Sequence, residues 1–132
     1  CLKAPCKGIG VAVRPALRSI PAQRFIDGIE KLLGVIGLLH EVHGTGLDAY
    51  LKGQGITELV VAGAVAAFCV TSTVRQASDL GYRVLLPQDA LLGFDLPAHD
   101  GGQLDAGTVF RVTLSLLGAD FATLTTIDAF AA

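Results

Sequence analysis

The residues of this chain that could carry covalent chemistry gather around Cys69. A run of small residues, Gly63-Ala64-Val65-Ala66-Ala67, lies between the apolar segment Glu58 to Ala62 and Cys69. The apolar segment reads as a buried strand. Cys69 to Leu80 reads as a helix, with Val70, Val74, Ala77 and Leu80 on its inner face and Ser72, Arg75, Gln76 and Asp79 toward water. A cysteine in the first turn of a helix feels the positive end of the helix dipole, and the dipole together with free backbone amides favours thiolate over thiol. A thiolate is the nucleophile of acyl transfer. The small residues before it let the backbone turn tightly, so that main-chain amides can aim at one point. That is how an oxyanion hole is built, each donor being worth ~3 kcal/mol. The competing reading makes Cys69 a small hydrophobe of the core, because cysteine is among the most buried residue types. Spacing alone leaves both readings open.

Other polar residues point to chemistry less strongly. His40 and His43 are three apart but lack a third zinc ligand at a clear spacing, and they read as solvated loop residues. Cys1 and Cys6 have no second pair to complete a metal site, and they read as two thiols near the start of the chain. Gly8-x-Gly10 lacks the third glycine of a dinucleotide fingerprint. Asp89 reads as a turn or helix-capping residue, and Arg14 as a surface ion-pair partner. No metal and no cofactor is expected.

The elements that must position Cys69 alternate strand with helix. Gly8 to Val13 reads as a first strand, followed by a loop from Pro15 to Pro21 and a helix from Ala22 to about Leu33. Gly34 to Leu39 fits a helix tail or a strand, and His40 to Thr45 a loop. Leu47 to Lys52 reads as a short helix, Glu58 to Ala62 as a strand and Gly63 to Ala67 as a tight connection. Gly81 stops the helix that begins at Cys69, and Arg83 to Leu86 is the next strand. Leu91 to Gly102 is rich in Gly, Pro and Asp and reads as a loop. Asp105 to Leu117 reads as a helix with Val109, Phe110, Thr113 and Leu116 inward, and Phe121 to Leu124 as a last strand before a short terminal helix. Such alternation implies βαβ units, a parallel sheet and helices on both faces: an α/β fold in three layers, αβα. Ligands of such sheets sit at the carboxyl ends of the strands, where Cys69 follows the strand Glu58 to Ala62.

Composition narrows the function. The chain has 132 residues, which suits a single domain spanning 1–132. Hydrophobic residues make up 52% and charged residues 17%, a balance that fits a sheet covered on both faces and surface hidden in a homo-oligomer. The net charge of −2, with scattered Lys and Arg, gives nucleic-acid binding no electrostatic support. No apolar run approaches the ~20 residues that span a membrane, and no secretory leader is recognisable in Cys1 to Lys7. Three cysteines, an odd and small number, argue against a secreted disulfide framework and for the cytoplasm.

Gly63-Ala64-Val65-Ala66-Ala67-Phe68-Cys69-Val70-Thr71-Ser72-Thr73, followed by Ala77, Gly81-Tyr82, Val84 and Asp89-Ala90, resembles the signature of isochorismatase-like cysteine hydrolases. That group includes nicotinamidases, isochorismatases and carbamoyl amidohydrolases. Gly44-Thr45 with Leu47 and Leu51, and the stretch Leu104 to Leu124, are similar to its flanking segments, so the resemblance runs mainly from Gly44 to Ala131. It implies a Rossmann-like three-layer αβα fold, here shortened. It implies Cys69 as nucleophile, the backbone amides of Val65 and Cys69 as oxyanion hole, and a cis peptide between Ala64 and Val65. The implied reaction is attack on a small amide, carbamoyl or vinyl-ether type substrate. This chain departs from the family pattern at several points. Ala12 falls where the family's acid stands if Pro15 is aligned with a proline often found there, and Ala66 falls where Thr or Ser is usual. Ile36 to Val42, where the partner lysine belongs, has none, Lys31 being the nearest. His40, His43 and Asp48 are the remaining candidates for a base. The alternative the departures raise is a catalytically impaired member that binds or scaffolds.

Overall fold

The computed structural model describes the backbone of residues 9–13 and all of residues 46–130. Its centre is β2, Glu58–Ala64, in which Leu59, Val60, Val61 and Ala62 are all buried. Consecutive strand residues point to opposite faces, so a run buried at every position belongs to a sheet covered on both sides. β3, Arg83–Pro87, repeats the pattern with Val84, Leu85 and Leu86. The strand order is β1 (Ile9–Val13), β2, β3, β7 (Thr123–Thr125), with β4 (Leu91–Leu92) beside the far end of β2. β2 and β3 run parallel with Glu58 opposite Arg83 and Val60 opposite Leu85. β3 and β7 (Thr123–Thr125) are parallel with Leu85 opposite Thr123, and β4 lies parallel to β2 with Gly63 opposite Leu91.

Among the described residues, three helices pack on one face. They are α1 (Leu47–Gly53), α2 (Thr71–Asp79) and α3 (Ala106–Asp120). One cluster joins Leu51 of α1, Val74 and Ala77 of α2, and Leu114 and Leu117 of α3 to Leu59, Val61, Val84 and Leu86 of the sheet. Each fully buried Val or Leu in it contributes roughly 1.5–3 kcal/mol of transfer free energy. Val60, Ala62 and Leu85 point to the opposite face and are buried too, as the three-layer expectation requires. Polar ties set the helix ends. Gly81 adopts φ +90°, a left-handed conformation that terminates α2. The Arg75 guanidinium lies over the Phe121 ring at 4.6 Å, pinning α2 to the segment after α3.

Several local expectations need correction. β1, Ile9–Val13, is antiparallel to β2, with Ile9 opposite Gly63 and Val13 opposite Leu59. β2 extends to Ala64 and helical structure resumes at Ala66, so little of Gly63 to Ala67 is a connection. The segment expected as a loop, Leu91 to Gly102, contains β4 and one arm of a small hairpin, β5 (Leu96–Pro97) with β6 (Gln103–Leu104). The last strand is Thr123–Thr125, because Phe121 is still the cap of α3. Leu116 is 65% exposed. The buried stripe of α3 is centred on Leu114 and Leu117, and one residue turns a helix by about 100°. The regions expected as Pro15 to Pro21, Ala22 to Leu33, Gly34 to Leu39 and His40 to Thr45 lie outside the described residues.

Candidate active site

Near the end of β2, Gly63 has a φ of +127° that suits only glycine, and the peptide bond between Ala64 and Val65, where the chain leaves the strand, is cis. Val65 is extended and caps a single π-helical turn, Ala66–Val70, that runs without a break into α2. The Val70 amide donates to the Val65 carbonyl at 3.3 Å, and the Phe68 amide donates to the same oxygen at 3.1 Å. Thr71 Oγ1 donates to the Ala66 carbonyl at 2.7 Å, and Ser72 Oγ to the Phe68 carbonyl at 3.2 Å. The two hydroxyls satisfy carbonyls of the widened turn. Isolated π turns of this kind occur disproportionately at functional sites.

Cys69 sits in that turn, past the carboxyl end of β2, where parallel sheets hold their ligands. Ala66 and Val70 beside it are buried, and Cys69 itself is 2% exposed and packs in the main core cluster. Its sulfur stands in a disulfide. Thiol chemistry at this position therefore belongs to the reduced chain. On the outer side of the turn the apolar groups are exposed: Phe68 at 47% and, across from it, Phe94 at 47%.

Asp48, one of the candidate bases, is engaged elsewhere. Its Oδ1 accepts a hydrogen bond from the Tyr82 hydroxyl at 2.8 Å, and Lys52 Nζ donates to Oδ2 at 3.1 Å. The Tyr82 hydroxyl, followed by the Lys52 ammonium, holds the Asp48 carboxyl below its usual range. Burial, reinforced by Asp48, pushes the Tyr82 phenol up to about 12. Tyr82 immediately precedes β3, whose first residue, Arg83, is opposite Glu58. The pair thus lies at the amino end of the sheet, while Cys69 follows the carboxyl end. Asp89 caps a terminal 3-10 turn, Ile127–Phe130, both carboxylate oxygens accepting from the Ile127 amide at 3.0 and 3.1 Å. The antiparallel run of β1 places Ala12 opposite Val60, and the strand ends at Val13 toward the amino end of β2, away from Cys69.

Two further aspartates anchor the segment beside the site. Asp105 caps α3, Oδ1 accepting from the Thr108 amide at 2.9 Å and Oδ2 from the Thr108 hydroxyl at 2.6 Å, and these bonds hold its carboxyl below its usual range. Asp95 accepts from the Ala106 amide at 2.8 Å and from Gln103 Nε2 at 3.2 Å. The spacing Asp105-x-x-Thr108 is a capping signal in the sequence, but Asp95 carries none because its partner is eleven residues away. Among the described residues no group of three His, Cys, Asp or Glu could hold a metal ion, and no helix is long and apolar enough to cross a membrane. Cys1, Cys6, Arg14, Lys31, His40 and His43 lie outside the described residues.

Residues 39–115 match the model of the isochorismatase domain family. Streptothricin hydrolase of Streptomyces noursei is 50% identical over 54 residues, which cover 41% of this chain and 20% of that protein. An isochorismatase family protein of Bacillus subtilis is 34% identical over 85 residues, covering 64% of this chain and 46% of its own length. A solved cysteine hydrolase from Pseudomonas syringae pv. phaseolicola superposes with a TM-score of 0.63 at 28% identity, over 67% of this chain and 42% of that one. The chain thus spans less than half the length of each of these proteins.

Proposed function

The chain belongs to the isochorismatase family, and from that premise we propose that it is a hydrolase of a small amide, carbamoyl or vinyl-ether type substrate with Cys69 as nucleophile. The observation that carries the reading is the position of Cys69 in a helix-opening turn at the carboxyl end of a parallel sheet. The likeness to a cysteine hydrolase and to streptothricin hydrolase supports it. In the proposed reaction with an amide, the reduced Cys69 sulfur bonds to the carbonyl carbon and its proton passes to a base. Charge then develops on the carbonyl oxygen, which the Val65 and Cys69 amides receive. The C–N bond breaks, the amine leaves with a proton, and water releases the acid from the thioester and restores the thiol. A positioned base contributes ~100- to 10,000-fold to such a step. Asp48 does not fill that role, because it is committed to Tyr82 and Lys52 at the other end of the sheet.

The test is hydrolysis of a panel of small amides and carbamoyl compounds by the reduced protein and its Cys69→Ser variant. Turnover abolished by the substitution supports the reading, and turnover that survives it refutes the role of Cys69. A second reading, a binding or scaffold member without catalysis, is favoured by the burial of Cys69 and by Ala66 in place of the usual hydroxyl. A panel that yields no turnover in either protein, while one of its members still binds, selects that reading.

A further inference from the structure

We propose that Thr71 is a positioning residue for the oxyanion site: its hydroxyl holds the turn Ala66–Val70 in the π register, and that register aims the Cys69 amide. The inference rests on the reading of Cys69 as nucleophile and adds to it a residue that acts through the main chain. Thr71 is the first residue of α2. Its amide and its hydroxyl both donate to the Ala66 carbonyl, five residues back, the hydroxyl at 2.7 Å. Serine and threonine hydroxyls in ordinary helices reach back three or four residues. Ser72 and Ser115 do so here, donating to the carbonyls of Phe68 and Arg111, each four residues back. In an α register the carbonyl below Thr71 would be that of Ala67. The bond from Thr71 to Ala66 therefore belongs to the widened turn and favours it over the α register.

The register decides which amides the Val65 carbonyl takes. In an α turn a carbonyl accepts from the fourth residue on, which for Val65 is Cys69. In this turn it accepts from the third, Phe68 at 3.1 Å, and the fifth, Val70 at 3.3 Å, the two residues that flank Cys69. Relaxation to the α register would draw the Cys69 amide onto the Val65 carbonyl, and an amide committed there cannot receive a substrate oxygen. Ala66, Ala67 and Phe68 bring no polar side chain that could hold the wide turn from within. The hydroxyl of Thr71 holds it from the residue after.

Two reactions of the same sulfur separate the amide from the thiol. Acylation by p-nitrophenyl acetate forms an S–C bond at a carbonyl carbon and puts charge on its oxygen; the C–O bond then breaks and nitrophenolate leaves with the electron pair. Alkylation by iodoacetamide forms an S–C bond at a saturated carbon as iodide leaves, and no oxygen gains charge. In both, the thiol proton passes to water. An oxyanion donor serves the first reaction and not the second. The test follows both at Cys69 in the reduced full chain by peptide mapping. Thr71→Val and Thr71→Ala are expected to slow acylation about tenfold and to leave the alkylation rate and its pH profile unchanged, while Thr71→Ser restores acylation. Valine keeps the shape and alanine favours the helix, so a fold lost in one variant is read from the other. Undiminished acylation, a parallel fall of both reactions, no recovery in Thr71→Ser, or loss of the fold in both variants overturns the proposal and leaves Cys69 as nucleophile. A parent chain whose Cys69 is not acylated overturns both readings.

Discussion

At Cys69 two influences oppose each other: burial disfavours a charged sulfur, and the start of a helix favours it. The sequence made the second visible through the small residues before Cys69 and the helical spacing after it. It did not reveal the disulfide, because pairing depends on which parts of a chain meet in space. A sulfur held in a disulfide is no nucleophile. Hydrolytic activity is therefore expected only after treatment with a dithiol, and assays with and without reductant check this. Tyr82 offers a second prediction at this scale. Its phenol is raised to about 12 from an unfolded value near 10, so its contribution to stability is complete below about pH 10 and is lost as pH rises toward 12. Denaturant titrations from pH 7 to 12 should show this loss in the parent chain. Tyr82→Phe should lose about 1 kcal/mol at pH 7, the net value of one hydrogen bond, and should lack the alkaline slope.

Among the elements, α3 separates what periodicity conveys from what packing decides. Its existence and its start near Asp105 were legible, whereas the placing of Leu116 inside was not. Phe110, Leu114, Leu116 and Leu117 are all apolar, and only contact with the sheet and α2 shows which of them are covered. Leu117→Ala should cost ~2–5 kcal/mol, the range for a buried leucine, and Leu116→Ala within ~0.5 kcal/mol of nothing. Equal losses measured by urea titration would contradict the described packing. Asp105→Ala should lower the melting temperature by removing the cap of α3. The parent chain should lose the same increment as pH falls through the carboxylate range, since a depressed carboxyl stabilises only while ionised. The π turn was not legible at all. Nothing in Ala66 to Val70 distinguishes it from an ordinary first turn, and it becomes apparent only in the bond from the Val70 amide back to Val65.

On the scale of the molecule, the apolar runs Leu59 to Ala62 and Val84 to Leu86 made a sheet covered on both faces the natural expectation, and the structure has one. The parallel arrangement also holds for β2, β3, β4 and β7. The orientation of β1 was beyond reach, because a five-residue apolar strand packs equally well in either direction. Its antiparallel course sets Ala12 opposite Val60 and ends the strand at Val13 opposite Leu59, away from the end of β2 that Cys69 follows.

The proposed role of Cys69 as nucleophile is tested most directly by catching the covalent intermediate. The reduced chain is mixed with p-nitrophenyl acetate, quenched in acid within the first turnover, digested and mapped by mass spectrometry. A nucleophilic Cys69 predicts a burst of nitrophenol and one acetyl group on its sulfur, both lost in Cys69→Ser. Acetylation distributed over lysines and other nucleophiles, with Cys69 unmodified, would contradict it.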